Sequence, residues 1–208
     1  MRRLKIGYGI ILSIKNLKSV LLISLMLTGL AEYTLAQDDY SVKSHIMIIS
    51  GTSNVHDWTA QVFVLKGLAK IGDAELTDIS ITVDTKTLKS SKGTVMDNKM
   101  YDALNTDKFP KIYYKSNSKT LLSLANKETT PVSTKGEVTI SGTTKNITVS
   151  GIYKKTKNEE IIISGSFSLL MTDFGIKPPT ALFGILKTGN RVEITYKIHL
   201  KKKGYDTI

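Results

Sequence analysis

The chain contains no cysteine, which excludes disulfides, thiol nucleophiles and thiolate-held metals. Its four prolines and fifteen glycines form no low-complexity tract. At 41% hydrophobic and 23% charged the balance is that of an ordinary folded domain. A chain of 208 residues buries enough core to stand without cross-links. Histidine is as scarce: His45, His56 and His199 are the three present. A three-histidine zinc site needs all of them to converge, and His199 falls on the polar side of its alternating segment. No glycine-rich phosphate loop is present. The Ser-Gly pairs at 50–51, 141–142 and 150–151 lack the residues that surround a nucleophile elbow. No apolar run reaches the ~20 residues of a membrane-spanning helix.

The leader is set apart by its composition. Arg2, Arg3, Lys5, Lys15 and Lys18 precede the apolar run from Val20 to Leu30, and Thr34-Leu35-Ala36 follows. This order is that of a secretory signal peptide, so residues 1–36 are expected to be removed after Ala36, leaving a domain of residues 37–208. The leader holds five basic groups and Glu32, so the formal charge falls from +11 to +7. Arg191 is the single arginine beyond it. Base readout and phosphate forks favour arginine, so nucleic acid is not expected as a partner. A lysine-rich surface suits solubility or transient contact with an anionic membrane.

Beyond Tyr40 the chain alternates. Val192, Ile194, Tyr196, Ile198 and Leu200 are apolar and the residues between them polar, the period of a half-buried strand. Ile79, Ile81 and Val83 repeat the pattern, as do Ile161, Ile163, Phe167, Leu169 and Met171. Further strands are expected near 41–49, 58–66, 111–117, 134–141 and 145–153. Turn signals stand at Gly72-Asp73, Ser141 to Thr144, Lys157 to Glu159 and Thr188-Gly189-Asn190. About eight strands joined by short turns suggest an all-β antiparallel meander, which loses its exposed edges by closing into a barrel. Gly136, Gly151 and Gly165 share apolar-facing registers; they leave a channel open or mark close packing.

Two segments break the alternation. Met96, Met100, Ala103 and Leu104 fall at helical spacing between Thr94 and Asn105, predicting one short amphipathic helix stopped at Asp107 to Pro110. Lys177 to Leu186 opens with Pro178-Pro179 and is apolar for a loop, as a lid on a barrel end is. One cluster has the composition of catalysis, His56-Asp57-Trp58. Neighbours on a strand point to opposite faces, so His56 and Asp57 orient one another only in a turn.

Four stretches carry a resemblance. Ser50 to Trp58, Met96 to Ile112, Gly136 to Lys145 and Thr172 to Ile176 are similar, in order, to motifs of the YceI-like family. The resemblance implies a lipocalin-like eight-stranded barrel with a helix lying against it, exported to the periplasm. It also implies a polyisoprenoid or related amphiphile in an apolar pore; no enzymatic role is implied and no catalytic residue is carried over, and no metal or cofactor is expected beyond such a lipid or quinone. On this basis Trp58, Met96, Met100, Phe109, Phe174 and Phe183 are expected to line the mouth and upper cavity. Two rivals remain: a lipid-modifying enzyme using His56 and Asp57, and a filled barrel serving as a stress or interaction scaffold. A homodimer is compatible with all of these readings.

Overall fold

Alternating side chains become walls only when the strands that carry them find partners on both edges. The computed structural model describes residues 37–72, 74–122, 129–156 and 158–204. All fall within one unit, Ala36–Ile208; the expected leader, Asp73 and Lys157 lie outside the described residues. The strands are β1 (Asp38–Ser53), β2 (Trp58–Val62), β3 (Leu65–Ile71), β4 (Glu75–Asp84), β5 (Leu88–Ser90), β6 (Lys111–Ser116), β7 (Thr120–Leu121), β8 (Thr130–Ile140), β9 (Thr143–Lys155), β10 (Ile161–Leu170), β11 (Thr180–Ala181) and β12 (Leu186–Lys202). The pairing order β1-β3-β4-β6-β8-β9-β10-β12 returns to β1, so eight antiparallel strands close a barrel. The β1–β12 seam runs from Tyr40↔Lys202 to Ser53↔Thr188.

Two turn and strand expectations change. The strand foreseen over 58–66 is broken at Phe63-Val64, because β1 changes partner there. Its first residues pair with β3 (Asp38↔Ile71 to Ser41↔Leu68) and its later ones with β2 (Ile48↔Gln61 to Gly51↔Trp58). Strand β5 then extends β2 at the rim. The foreseen turn at Thr188-Gly189-Asn190 is continuous β12. Gly189 lies against Thr52, whose Oγ1 would be 2.4 Å from an added Cβ, and Asn190 clasps the backbone and hydroxyl of Thr172. Here glycine serves close approach rather than chain reversal. The hairpin at Ser141-Gly142 is present, with both residues at positive φ.

The helix α1 spans Thr94–Leu104. It ends at Asn105, in the left-handed conformation (φ 50°, ψ 54°), ahead of the Asp107–Pro110 segment expected to stop it. Buried Asp97 accepts from the Ser90 amide at 2.6 Å and pairs with Lys89 at 3.2 Å. The Tyr101 hydroxyl donates to the Leu88 carbonyl at 2.7 Å, and Ser141 Oγ to the Leu104 carbonyl at 2.9 Å. Both ends of α1 are thereby lashed to the barrel.

Candidate binding cavity

The inward face is not uniformly packed. At one end Tyr40, Ile71, Leu76, Leu122, Tyr153, Ile161 and Leu200 are all buried and join one core cluster. This end is sealed. Further along the same faces Met47, Ile49, Ile79, Ile81, Val149, Ile163 and Phe167 keep only partial burial. Inward register with residual accessibility means an open lumen. The space amounts to about 280 Å³. Its far end is capped by α1 through Met96, Met100, Ala103 and Leu104, and by Phe174 and Ile176.

The wall carries no charged residue. Its polar atoms are the hydroxyls of Ser90, Tyr114, Thr134, Thr188 and Tyr196, and the Trp58 indole. Several are already matched. Tyr114 and Thr134 share a bond of 2.9 Å, the Tyr196 hydroxyl donates to the Ser150 carbonyl at 3.1 Å, and Trp58 Nε1 donates to the Thr52 carbonyl at 3.2 Å. Such a wall offers apolar contact and a few hydroxyls, the composition of a site for an apolar molecule.

The three inward glycines do not hold the channel open. A Cβ on Gly136 would lie 2.7 Å from the Tyr114 hydroxyl; on Gly151 and Gly165 it would lie 2.7 and 2.8 Å from that of Tyr196. Each glycine is filled by a tyrosine tip. Burial pushes the Tyr196 hydroxyl up to about 12, with a smaller contribution from Tyr114, and burial chiefly does the same to Tyr153. An unfolded tyrosine ionises near 10.0, so between that pH and about 12 the folded state holds protons the unfolded state has lost. Stability must therefore fall as pH rises through this window. Thermal melts across it are expected to show a shallower decline for Tyr196→Phe than for the wild type.

Of the six residues expected at the mouth, Trp58, Met96, Met100 and Phe174 stand on the wall. Phe109 does not. It lies outside, with its ring against Gly142 and the Lys108 ammonium 5.3 Å from the ring centroid. Leaving α1 through Asn105 turns this side chain toward the β8–β9 hairpin. Phe183 is also elsewhere. The expected lid is a hairpin, β11 paired with the start of β12, and Phe183 at its tip is fully exposed at 109%. Pro179, by contrast, reaches the wall. The side chains of Ala181 and Leu182 lie outside the described residues.

His56 and Asp57 are exposed in the β1–β2 turn, away from the wall. That turn is organised by Ser53, whose hydroxyl donates to the His56 carbonyl at 2.6 Å and accepts from the His56 amide. His45 faces inward opposite Ile198, and its Nε2 lies 3.2 Å from the Val62 carbonyl. Among the described residues no group of His, Asp and Glu is placed to hold a metal ion. The wall residues missed in the sequence, Met47, Ile49, Ile79, Ile81 and Val149, all sit on alternating faces. Alternation marked them as inward but not as unpacked.

Solved structures share this architecture. A polyisoprenoid binding domain from Saccharophagus degradans, implicated in plant cell wall breakdown, is 12% identical with a TM-score of 0.61, over 79% of this chain and 98% of that one. Burkholderia cenocepacia BcnA is 13% identical with a TM-score of 0.59, over 76% and 96%. A Campylobacter jejuni YceI protein is 14% identical with a TM-score of 0.55, over 70% and 84%. These likenesses establish the barrel. No curated protein matches the sequence. The model of the YceI-like domain matches residues 33–200, and the chain belongs to that family.

Proposed function

We propose that the protein is exported and holds one long amphiphilic lipid, a polyisoprenoid or isoprenoid quinone, in its lumen as a carrier or reserve. The observation that carries this reading is the uncharged wall whose inward side chains remain accessible. The likeness to a polyisoprenoid binding domain adds support. Burying a methylene contributes about 0.8 kcal/mol against water, so a chain of isoprene units is held firmly once inside. Its competitor in the cell is the bilayer, where the tail is already dry. Net transfer from membrane to barrel is then nearly balanced, as a reversible carrier requires. The wall carries no carboxylate, histidine or lysine to act as a general acid or base, which favours binding over catalysis.

The test is solvent extraction and mass spectrometry of protein purified without detergent from its native envelope. One isoprenoid-type lipid per barrel is expected, on a polypeptide beginning at Gln37. An extract that is empty, and stays empty after incubation with envelope lipids, would favour a filled scaffold instead.

A further inference from the structure

The end of the lumen opposite the sealed one is framed by three loops tied to one another. Asn54, between β1 and β2, donates from its side-chain amide to the Ile185 carbonyl at 2.8 Å. It also accepts from the Lys187 amide at 2.9 Å. The Ser91 amide, between β5 and α1, donates to the Thr59 carbonyl at 2.9 Å. Lys99 of α1 reaches the Thr180 carbonyl at 3.4 Å. The rim is therefore a fixed platform.

Its tips are apolar where solvent-facing loops are ordinarily polar. Val55 is 60% exposed, Val95 74%, Ile185 69% and Phe183 109%. Each stands close in sequence to a wall residue: Val55 to Trp58, Val95 to Met96, and Phe183 and Ile185 between Pro179 and Thr188. Phe183 is also held at φ 53°, ψ 34°, a left-handed conformation that a bulky side chain rarely adopts. A residue that is both strained and unpacked contributes nothing to the barrel's core. Lys92, Lys177 and Lys187 are exposed beside these tips, with Lys99 half-exposed. Set against Asp57 and Asp173, they leave the rim net cationic.

We propose that this rim docks on an anionic lipid bilayer, with Phe183 and Ile185 entering the headgroup–acyl boundary and the lysines facing the phosphates. Docking there brings the end of the lumen lined by Trp58, Pro179 and Thr188 against the membrane. The proposal rests on the cargo reading for its purpose, but its test is separable. Vesicles of phosphatidylcholine with and without phosphatidylglycerol are floated with protein purified from the envelope of cells making the full chain. Binding is expected to the anionic vesicles and not to the neutral ones. Phe183→Asp with Ile185→Asp should weaken it by roughly tenfold.

Phe183→Gly separates docking from folding. Glycine accepts the left-handed backbone, so the thermal midpoint is expected to hold or rise while vesicle binding falls. A midpoint that falls with vesicle binding unchanged would make Phe183 a packing residue and overturn the proposal. So would wild-type protein that ignores anionic vesicles or binds both kinds equally. Lipid recovered from protein that does not dock would retain the cargo reading without the rim. Docking by protein that never holds lipid would retain the rim alone.

Discussion

Val149→Phe and Ile79→Phe are each expected to shift the partition of lipid between barrel and bilayer by roughly tenfold toward the bilayer while the thermal midpoint stays close to that of the wild type. Both side chains face the lumen and are only partly buried. A larger side chain at a packed position costs about 1–3 kcal/mol in strain. Here it grows into a space of about 280 Å³, so strain is small and added apolar contact offsets it. The ligand, however, loses room. Displacing two methylenes removes about 1.6 kcal/mol of burial, close to the 1.4 kcal/mol that makes a tenfold change in affinity. The measurement is lipid per protein by mass spectrometry after equilibration with excess envelope vesicles, beside a thermal melt on the same preparation. A barrel that keeps its full lipid content with either substitution would place the cargo somewhere other than this lumen. One that unfolds would show the region to be packed.

The contrast with Phe174 explains the choice of positions. Phe174 is on the wall but only 3% exposed, in a small cluster with Val138 and Ile176. A charge there would lower lipid content by disrupting the cap, which is indistinguishable from an effect on binding. Val149 and Ile79 border empty space and carry no such burden.

Legibility in the sequence followed the range of the interaction concerned. Period-two alternation is local, so β12 could be read from Val192, Ile194, Tyr196, Ile198 and Leu200, and α1 from Met96, Met100, Ala103 and Leu104. Which inward residues border empty space was not legible. Ile161 and Ile49 look alike in sequence; one is fully buried in the core cluster with Tyr40 and Tyr153, the other faces the lumen. The difference lies in which strands meet across the barrel. The break at Phe63-Val64 was hidden for the same reason, since it follows from β1 changing partners. Phe183 misled because an aromatic in an apolar loop ordinarily turns inward. Nothing local reveals that its hairpin points the side chain away.

Gly151→Ala and Gly165→Ala are expected to lower stability by about 1–3 kcal/mol each, a fall in thermal midpoint of roughly 2–12 °C for a chain of this size. The β9–β10 ladder runs from Ile161↔Lys155 to Ser164↔Ile152, ending beside these two glycines. A Cβ on Gly165 would sit 2.5 Å from the Ser150 carbonyl oxygen and 2.9 Å from Gly151 Cα; on Gly151 it would sit 2.6 Å from the Ser164 carbonyl oxygen. The two strands cross too closely for any side chain, as at a bend in a barrel wall. Tyr196 adds a second obstacle at 2.7 and 2.8 Å, one that can be removed alone. Adding Tyr196→Phe should relieve the tyrosine part of each clash and leave the backbone part, so rescue in a double-mutant cycle is expected to be partial. Full rescue would assign the glycines to the tyrosine tip, and no loss at all would mean the strands can separate. Lipid content per folded barrel should remain at the wild-type level in both alanine variants. The glycines then act on the closure of the wall, and the width of the lumen is set by the residues that border it.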